Sequence, residues 1–165
     1  AAMSGKAFVY GDNVDTDMLA PGLYMKFGIE DIARHCLEAV DPTFAATVRA
    51  GDFVVGGDNF GMGSSREQAP QALRHLGVAA VIARSFAGLF FRNAVNLGLA
   101  PLVCADVDKI AAGDELAADA ARGTIQNRTT GLALRCEALP AHLLAMLNDG
   151  GLIPHLEKKL KAARK

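Results

Sequence analysis

The residues best suited to chemistry in this chain are Gly61-Met62-Gly63-Ser64-Ser65-Arg66-Glu67, set between a predicted strand and a predicted helix. Glycines let a backbone approach a ligand closely, and amide N–H groups at a helix start favour an anion. Ser64 and Ser65 add hydroxyls, and Arg66 adds a planar fork that matches a carboxylate. An architectural reading stands beside the chemical one. Ser64-x-x-Glu67 has the spacing of a capping box, and Arg66 has the option of pairing with an acid of the same chain. Familiar motifs fail at this place. A dinucleotide fingerprint from Gly61 needs Gly at position 66, where Arg stands, and Gly-Lys-Ser/Thr is absent. The nucleophile elbow G-x-S-x-G fails at Arg66 too.

Two further clusters flank this segment. Asp12-Asn13-Val14-Asp15-Thr16-Asp17 reads as a turn rich in Asx bonds sooner than as a hard-cation site. Arg84-Ser85, Arg92-Asn93 and Asn96 read as polar groups that satisfy the backbones of neighbouring loops. Cys36, Cys104 and Cys136 lack any C-x-x-C spacing and form an odd, sparse set. They read as buried or half-buried thiols in a reducing compartment, and the cytoplasm is expected. His35, His75, His142 and His155 show no i, i+4 metal pairing, so no complete metal site is expected in this chain.

The elements that must position these residues follow from pattern. Lys6–Tyr10 reads as a first strand, and Ala20-Pro21-Gly22 as loop. Ile29, Ile32, Ala33, Cys36, Leu37 and Val40 lie on one face of a predicted helix closed by Asp41-Pro42. Asp52–Val55, Val78–Ala83 and Pro101–Cys104 read as buried strands. A helix through Ala69, Ala72, Leu73 and Leu76 and another through Phe86, Leu89, Phe90, Asn93, Ala94 and Leu97 separate them. This alternation predicts parallel α/β layers. Glu115–Ala120, Thr124–Gln126 and Leu132–Cys136 read as a small antiparallel addition. Pro140–Asn148 and Ile153–Lys165 read as helices, the last with a basic, solvated end. The fold reading sets aside Ala1 and Ala2 and places one domain over residues 4–165.

Composition narrows the function. The chain has 165 residues, 51% hydrophobic and 21% charged, which suits one packed core and argues against disorder. A net charge of −1 excludes nucleic-acid binding by bulk charge. The apolar runs are far below the roughly 20 residues of a membrane span, and no secretory leader is expected.

Taken together, three ordered segments resemble the small subunit of the aconitase-superfamily hydro-lyases, which include 3-isopropylmalate dehydratase and homoaconitase. They are Gly11–Asp17, Gly57–Pro70 with its Gly63-Ser64-Ser65-Arg66 core, and Ala83–Ala94. The likeness runs from about Lys6 to Leu156. It implies a swivelling β/β/α domain equivalent to the fourth domain of single-chain aconitases. It implies a large-subunit partner that carries a [4Fe-4S] cluster, with no cofactor in this chain and no nucleic-acid or membrane partner. The implied reaction is dehydration and rehydration of a malate-type acid, in leucine biosynthesis for the isopropylmalate enzymes. The partner's open iron would bind the leaving hydroxyl as a Lewis acid.

By motif match, Ser64 is the family's catalytic base, and Gly63, Ser65 and Arg66 fall at carboxylate-binding positions. Asp15, Thr16 and Asp17 match a segment lining the same cleft. Tyr24, Met25, Lys26 and Phe27 match the loop that discriminates substrates. Isopropylmalate enzymes commonly carry an apolar residue where Lys26 stands, and homoaconitase-like members carry Arg. Lys26 matches neither form, so isopropylmalate, a tricarboxylic acid and another substituted malate all stay open. A regulatory module that keeps the fold without the chemistry is the non-enzymatic alternative. The intact Gly63–Arg66 set argues against it.

Overall fold

The computed structural model describes residues 2–164. In chain order the elements are β1 (Ala2–Val9), α1 (Thr16–Leu19), α2 (Ile29–Arg34), α3 (Phe44–Thr47), β2 (Phe53–Val55), α4 (Gln68–His75), β3 (Ala80–Ala83), α5 (Gly88–Asn96), β4 (Ala100–Val103), β5 (Glu115–Asp119), β6 (Thr124–Asn127), β7 (Ala133–Arg135), α6 (Ala141–Asn148) and α7 (Leu152–Ala163). Short 3-10 turns lie at Gly22–Tyr24 and Val107–Lys109.

The strands hydrogen-bond in the order β4-β3-β2-β1-β5-β6-β7. The β4-to-β1 half is parallel, and the β1-to-β7 half is antiparallel. β1 serves both halves by changing neighbour along its length. Ala2 to Lys6 pair with Asp119 to Glu115, whereas Ala7 to Val9 pair with Phe53 to Val55. Side chains alternate across each parallel strand, and both faces are buried. Val54, Val81 and Ala83 face a core built with Ile32, Leu37, Phe44, Leu73 and Phe90. Phe53, Val55, Ala80 and Ile82 face a second core with Leu116, Ala118, Ile125 and Leu134 of the antiparallel strands. The result is three layers: helices, parallel sheet and antiparallel sheet. This is the β/β/α arrangement that the family resemblance implies.

Most strand bounds shift by one or two residues, and four stretches depart further from the sequence-based expectation. The first strand starts at Ala2, not Lys6, because its early backbone completes the antiparallel ladder with β5. The Asp12–Asp17 segment does not stay a turn: Asp15 caps α1, which is helical from Thr16 to Leu19. The stretch Ala20–Gly22, expected as loop, leads into a 3-10 turn. The helix expected to reach Val40 stops at Arg34. Leu37 then takes φ 61°, donates its N–H to the Met18 carbonyl at 2.8 Å, and is fully buried. A left-handed leucine costs about 1–2 kcal/mol. Burying its side chain returns about 1.5–3 kcal/mol, which is enough to reverse the chain here. Val40 is exposed as a consequence.

Candidate functional site

The three chemical segments follow the carboxyl ends of β1, β2 and β3, the edge at which α/β sheets bind ligands. Backbone bonds stitch them side by side. Asn13 N–H donates to the Asp58 carbonyl at 2.8 Å, Gly61 N–H to Val14 at 2.7 Å, and Thr16 N–H to Met62 at 2.9 Å. On the other side, Phe60 N–H donates to Ser85 at 3.0 Å and Ala87 N–H to Phe60 at 2.9 Å. Arg84 adds a clamp of charge-assisted bonds, Nη2 to Asp12 at 2.8 Å and Nε to Asp58 at 3.1 Å. Ser85 Oγ accepts from the Asn59 N–H at 2.8 Å. Arg84 and Ser85 thus hold loops together, as their polar character suggests from sequence, Arg84 through Asp12 and Asp58 and Ser85 through Asn59.

Ser64 lies where the first two segments meet. Its Oγ is 3.2 Å from Oγ1 of Thr16, whose side chain is only 3% exposed. Thr16 is fixed in turn because Asp15 caps its helix, accepting from the Met18 N–H at 2.8 Å. Gly63 has φ 105°, and a Cβ there would sit 3.1 Å from Thr16 Oγ1. Only glycine suits that backbone and leaves the threonine hydroxyl in place. The capping-box reading fails. α4 starts at Gln68, its cap is Glu67, and no side chain caps it, so Ser64 is left outside the helix. Among the described residues, the backbone N–H groups of Gly63, Ser64, Ser65 and Arg66 donate to no protein acceptor. Four free amides and an exposed hydroxyl are the elements of an anion site.

Arg66 uses one nitrogen for the protein. Nη1 donates to Asp17 Oδ1 at 3.1 Å and to the Ala20 carbonyl at 2.7 Å. Among the described residues, Nη2 and Nε are not used in a hydrogen bond. The guanidinium is therefore anchored while one edge of its fork stays open. Asp17 also accepts from the Gly22 N–H at 2.9 Å. This bond first, and the Arg66 bond second, hold its carboxyl below the usual carboxylate range. Asp17 thus ties Arg66 to the start of the Tyr24–Phe27 loop. Asn93 of α5 reaches the Ser65 carbonyl at 3.4 Å. In the loop, Lys26 is exposed, with its ammonium 5.4 Å from the Phe27 ring centroid. Among the described residues it makes no hydrogen bond or ion pair with Ser64, Ser65 or Arg66.

Met62, Gly63, Ser64 and Ser65 are all exposed, and Arg66 is half-buried. Exposed Leu23 and Phe27 stand in the nearby loop. The group forms one open wall with no facing wall of its own. The thiols lie apart from it, and Cys36 lies apart from the other two. Cys36 is in the helix-side core, and Cys104 and Cys136 are at the opposite core. Burial raises all three, Cys136 to about 11, so they are neutral thiols. Among the described residues, no group of three or more His, Cys, Asp or Glu side chains is placed to hold a metal ion. The thiols do not fit an iron–sulfur cluster.

One contact has no counterpart in the sequence reading. His35, assigned there to the run of a helix, stacks face to face on Tyr24. Helical periodicity carries no signal for a partner across a loop.

Residues 35–107 match the family described as Aconitase C-terminal domain. The chain is 47% identical over 158 residues to "3-isopropylmalate dehydratase small subunit 2" of Archaeoglobus fulgidus, covering 94% of this chain and 95% of that protein. It is 48% identical over 157 residues to "Methanogen homoaconitase small subunit" of Methanothermobacter thermautotrophicus, covering 94% and 91%. The crystal structure of 3-isopropylmalate dehydratase (LeuD) from Methanocaldococcus jannaschii superposes with a TM-score of 0.93 at 37% identity, covering 100% of both chains.

Proposed function

The chain belongs to the family of small subunits of the aconitase-type hydro-lyases, and on that premise we propose that its Ser64 wall is one half of a cleft that isomerises 3-isopropylmalate. It is an enzyme subunit that works with a large subunit. The [4Fe-4S] cluster of this family sits in the large subunit, where it supplies Lewis acidity. The share of this chain is proton removal and carboxylate binding. The whole chain acts as one swivelling domain, in the cytoplasm. No helix among the described residues is long and apolar enough to cross a membrane.

Ser64 acts as its alkoxide: its own hydroxyl proton has passed to water, and Oγ then takes the proton from the carbon next to a substrate carboxylate. A serine hydroxyl is a very weak acid, so its oxyanion needs donors already in place. Thr16 Oγ1 is at hydrogen-bond distance and donates its O–H to the Ser64 alkoxide, stabilising it before the proton is taken. The free amides of Gly63 to Arg66 and the open edge of the Arg66 fork receive the carboxylate. Closure against the large subunit excludes water and strengthens each of these bonds. The observation that carries this reading is the exposed Ser64 hydroxyl held against a buried Thr16 beside unpaired amides and an anchored arginine.

The exposed ammonium of Lys26 favours a second substrate. A distal carboxylate, as in homoaconitate, would find a cation in the loop. With the large subunit co-produced, Ser64→Ala should lower kcat at least a hundredfold, in keeping with the loss of a general base. Its melting temperature should stay at wild-type values, because Ser64 caps no helix. A variant that keeps more than a tenth of kcat removes Ser64 from the role. Comparison of kcat/KM for 3-isopropylmalate and homoaconitate decides between the substrates.

A further inference from the structure

We infer that His35 is a positioning residue for substrate choice: its imidazole forms the shelf on which Tyr24 holds the Tyr24–Phe27 loop against the variable end of the substrate. The inference rests on the reading that this loop meets the substrate's side group. Three observations carry it. The Tyr24 and His35 rings lie parallel, with centroids 3.6 Å apart and planes 4° from each other. The imidazole is held from its other edge, where Nδ1 is 2.6 Å from Glu38 Oε2. Its backbone is held as well, since His35 closes α2 by donating its N–H to the Ile32 carbonyl at 3.1 Å. The shelf is therefore fixed at two points before Tyr24 rests on it.

The loop needs such a shelf. Gly22 is pinned to Asp17, and Met25 and Phe27 N–H groups bond only within the local turn, to Gly22 and Tyr24. Tyr24 and Met25 pack against the helix-side core, whereas Lys26 and Phe27 are exposed. The turn spacing makes Tyr24 the inward anchor and Lys26 and Phe27 the outward pair. A face-to-face aromatic contact fixes both the height and the tilt of the anchor. Loss of the shelf lets the outward pair move, while the Ser64–Thr16 contact and the Arg66–Ala20 bond, which involve neither ring, stay as they are.

The experiment uses the complex with its large subunit. His35→Ala should raise KM for 3-isopropylmalate about three- to tenfold, the range open to one aromatic contact, with kcat within twofold. The inhibition constant of plain malate, which has no side group to meet the loop, should not change. His35→Phe keeps the flat face and should restore KM, although it loses the Glu38 bond. An unchanged KM in His35→Ala overturns the inference. So does a parallel rise of KM and the malate constant, which marks general loosening of the site. Lys26→Ala is measured beside it. A shift in Lys26→Ala with none in His35→Ala sinks the His35 role alone. No shift in either variant removes the loop from substrate recognition, and the His35 role falls with it.

Discussion

Thr16 is where a single hydroxyl separates chemistry from architecture. Its Oγ1 has one partner, the exposed Ser64 Oγ, so Thr16→Val leaves no buried polar group unpaired. The fold should tolerate the change with a loss below about 1.5 kcal/mol. Turnover should fall about tenfold or more, because the donor that keeps Ser64 available as its alkoxide is lost. Thr16→Ser should recover most of kcat. Arg66 makes a different demand. Lysine keeps the charge but cannot anchor to Asp17 and Ala20 while presenting a second edge. Arg66→Lys should raise KM severalfold, and equal kinetics for the two proteins would make Arg66 only a loop tie. The Gly63–Arg66 segment was legible from residue types and order. The pairing of Arg66 with Asp17 was not, because 49 residues separate them and no local pattern links a fork to one acid among many.

Elements were legible where both a period and a stop were written into the chain. Gly77 and Gly98 follow α4 and α5 at φ 89° and 81°, and those helices end as expected. α2 stops at Arg34 and the chain reverses at the left-handed Leu37, neither of which carries a stop signal, so its end was invisible. The same logic gives two tests. Gly63→Ala should cost about 1–2 kcal/mol from its left-handed backbone and displace Thr16 from Ser64, lowering kcat more than the melting temperature suggests. Further along, Asp149 joins α6 to α7 by accepting from His155 at 2.7 Å and Lys158 at 3.0 Å. The His155 bond first, and the Lys158 bond next, hold its carboxyl below the ordinary range. The stabilisation is therefore present above the unfolded carboxylate value of about 4 and is lost as pH falls through the lower folded value. Protection of α7 amides from hydrogen exchange should drop in that acid window, and Asp149→Asn should show the lower protection already at neutral pH. An unchanged pH profile in the variant would dismiss this clip. Lys158 makes this bond while its side chain stays 75% exposed, in keeping with the solvated basic end expected of this helix.

At the scale of the molecule, Phe53 marks how far the two sheets depend on each other. It is fully buried on the face shared by the parallel and antiparallel layers. Phe53→Ala should cost about 3–5 kcal/mol, and urea unfolding followed by two probes should still show one transition. Separate transitions would mean that the layers fold alone. The layers themselves were legible, because β2 and β3 are apolar throughout and β5 to β7 alternate between turns. The length of β1 was not. Ala2 to Gly5 show no strand pattern of their own, and their place is set by β5, a distant partner. That shared strand has a consequence for the order of synthesis. β1 leaves the ribosome first, and its later half meets β2 early, but Lys6 waits for Glu115. Until the last third of the chain has been made, Phe53, Val55, Ala80 and Ile82 have no cover on one face. The wall that bears Ser64 can be assembled while the nascent chain still exposes an adhesive apolar sheet, so the hazard of aggregation persists until β5 to β7 have been made.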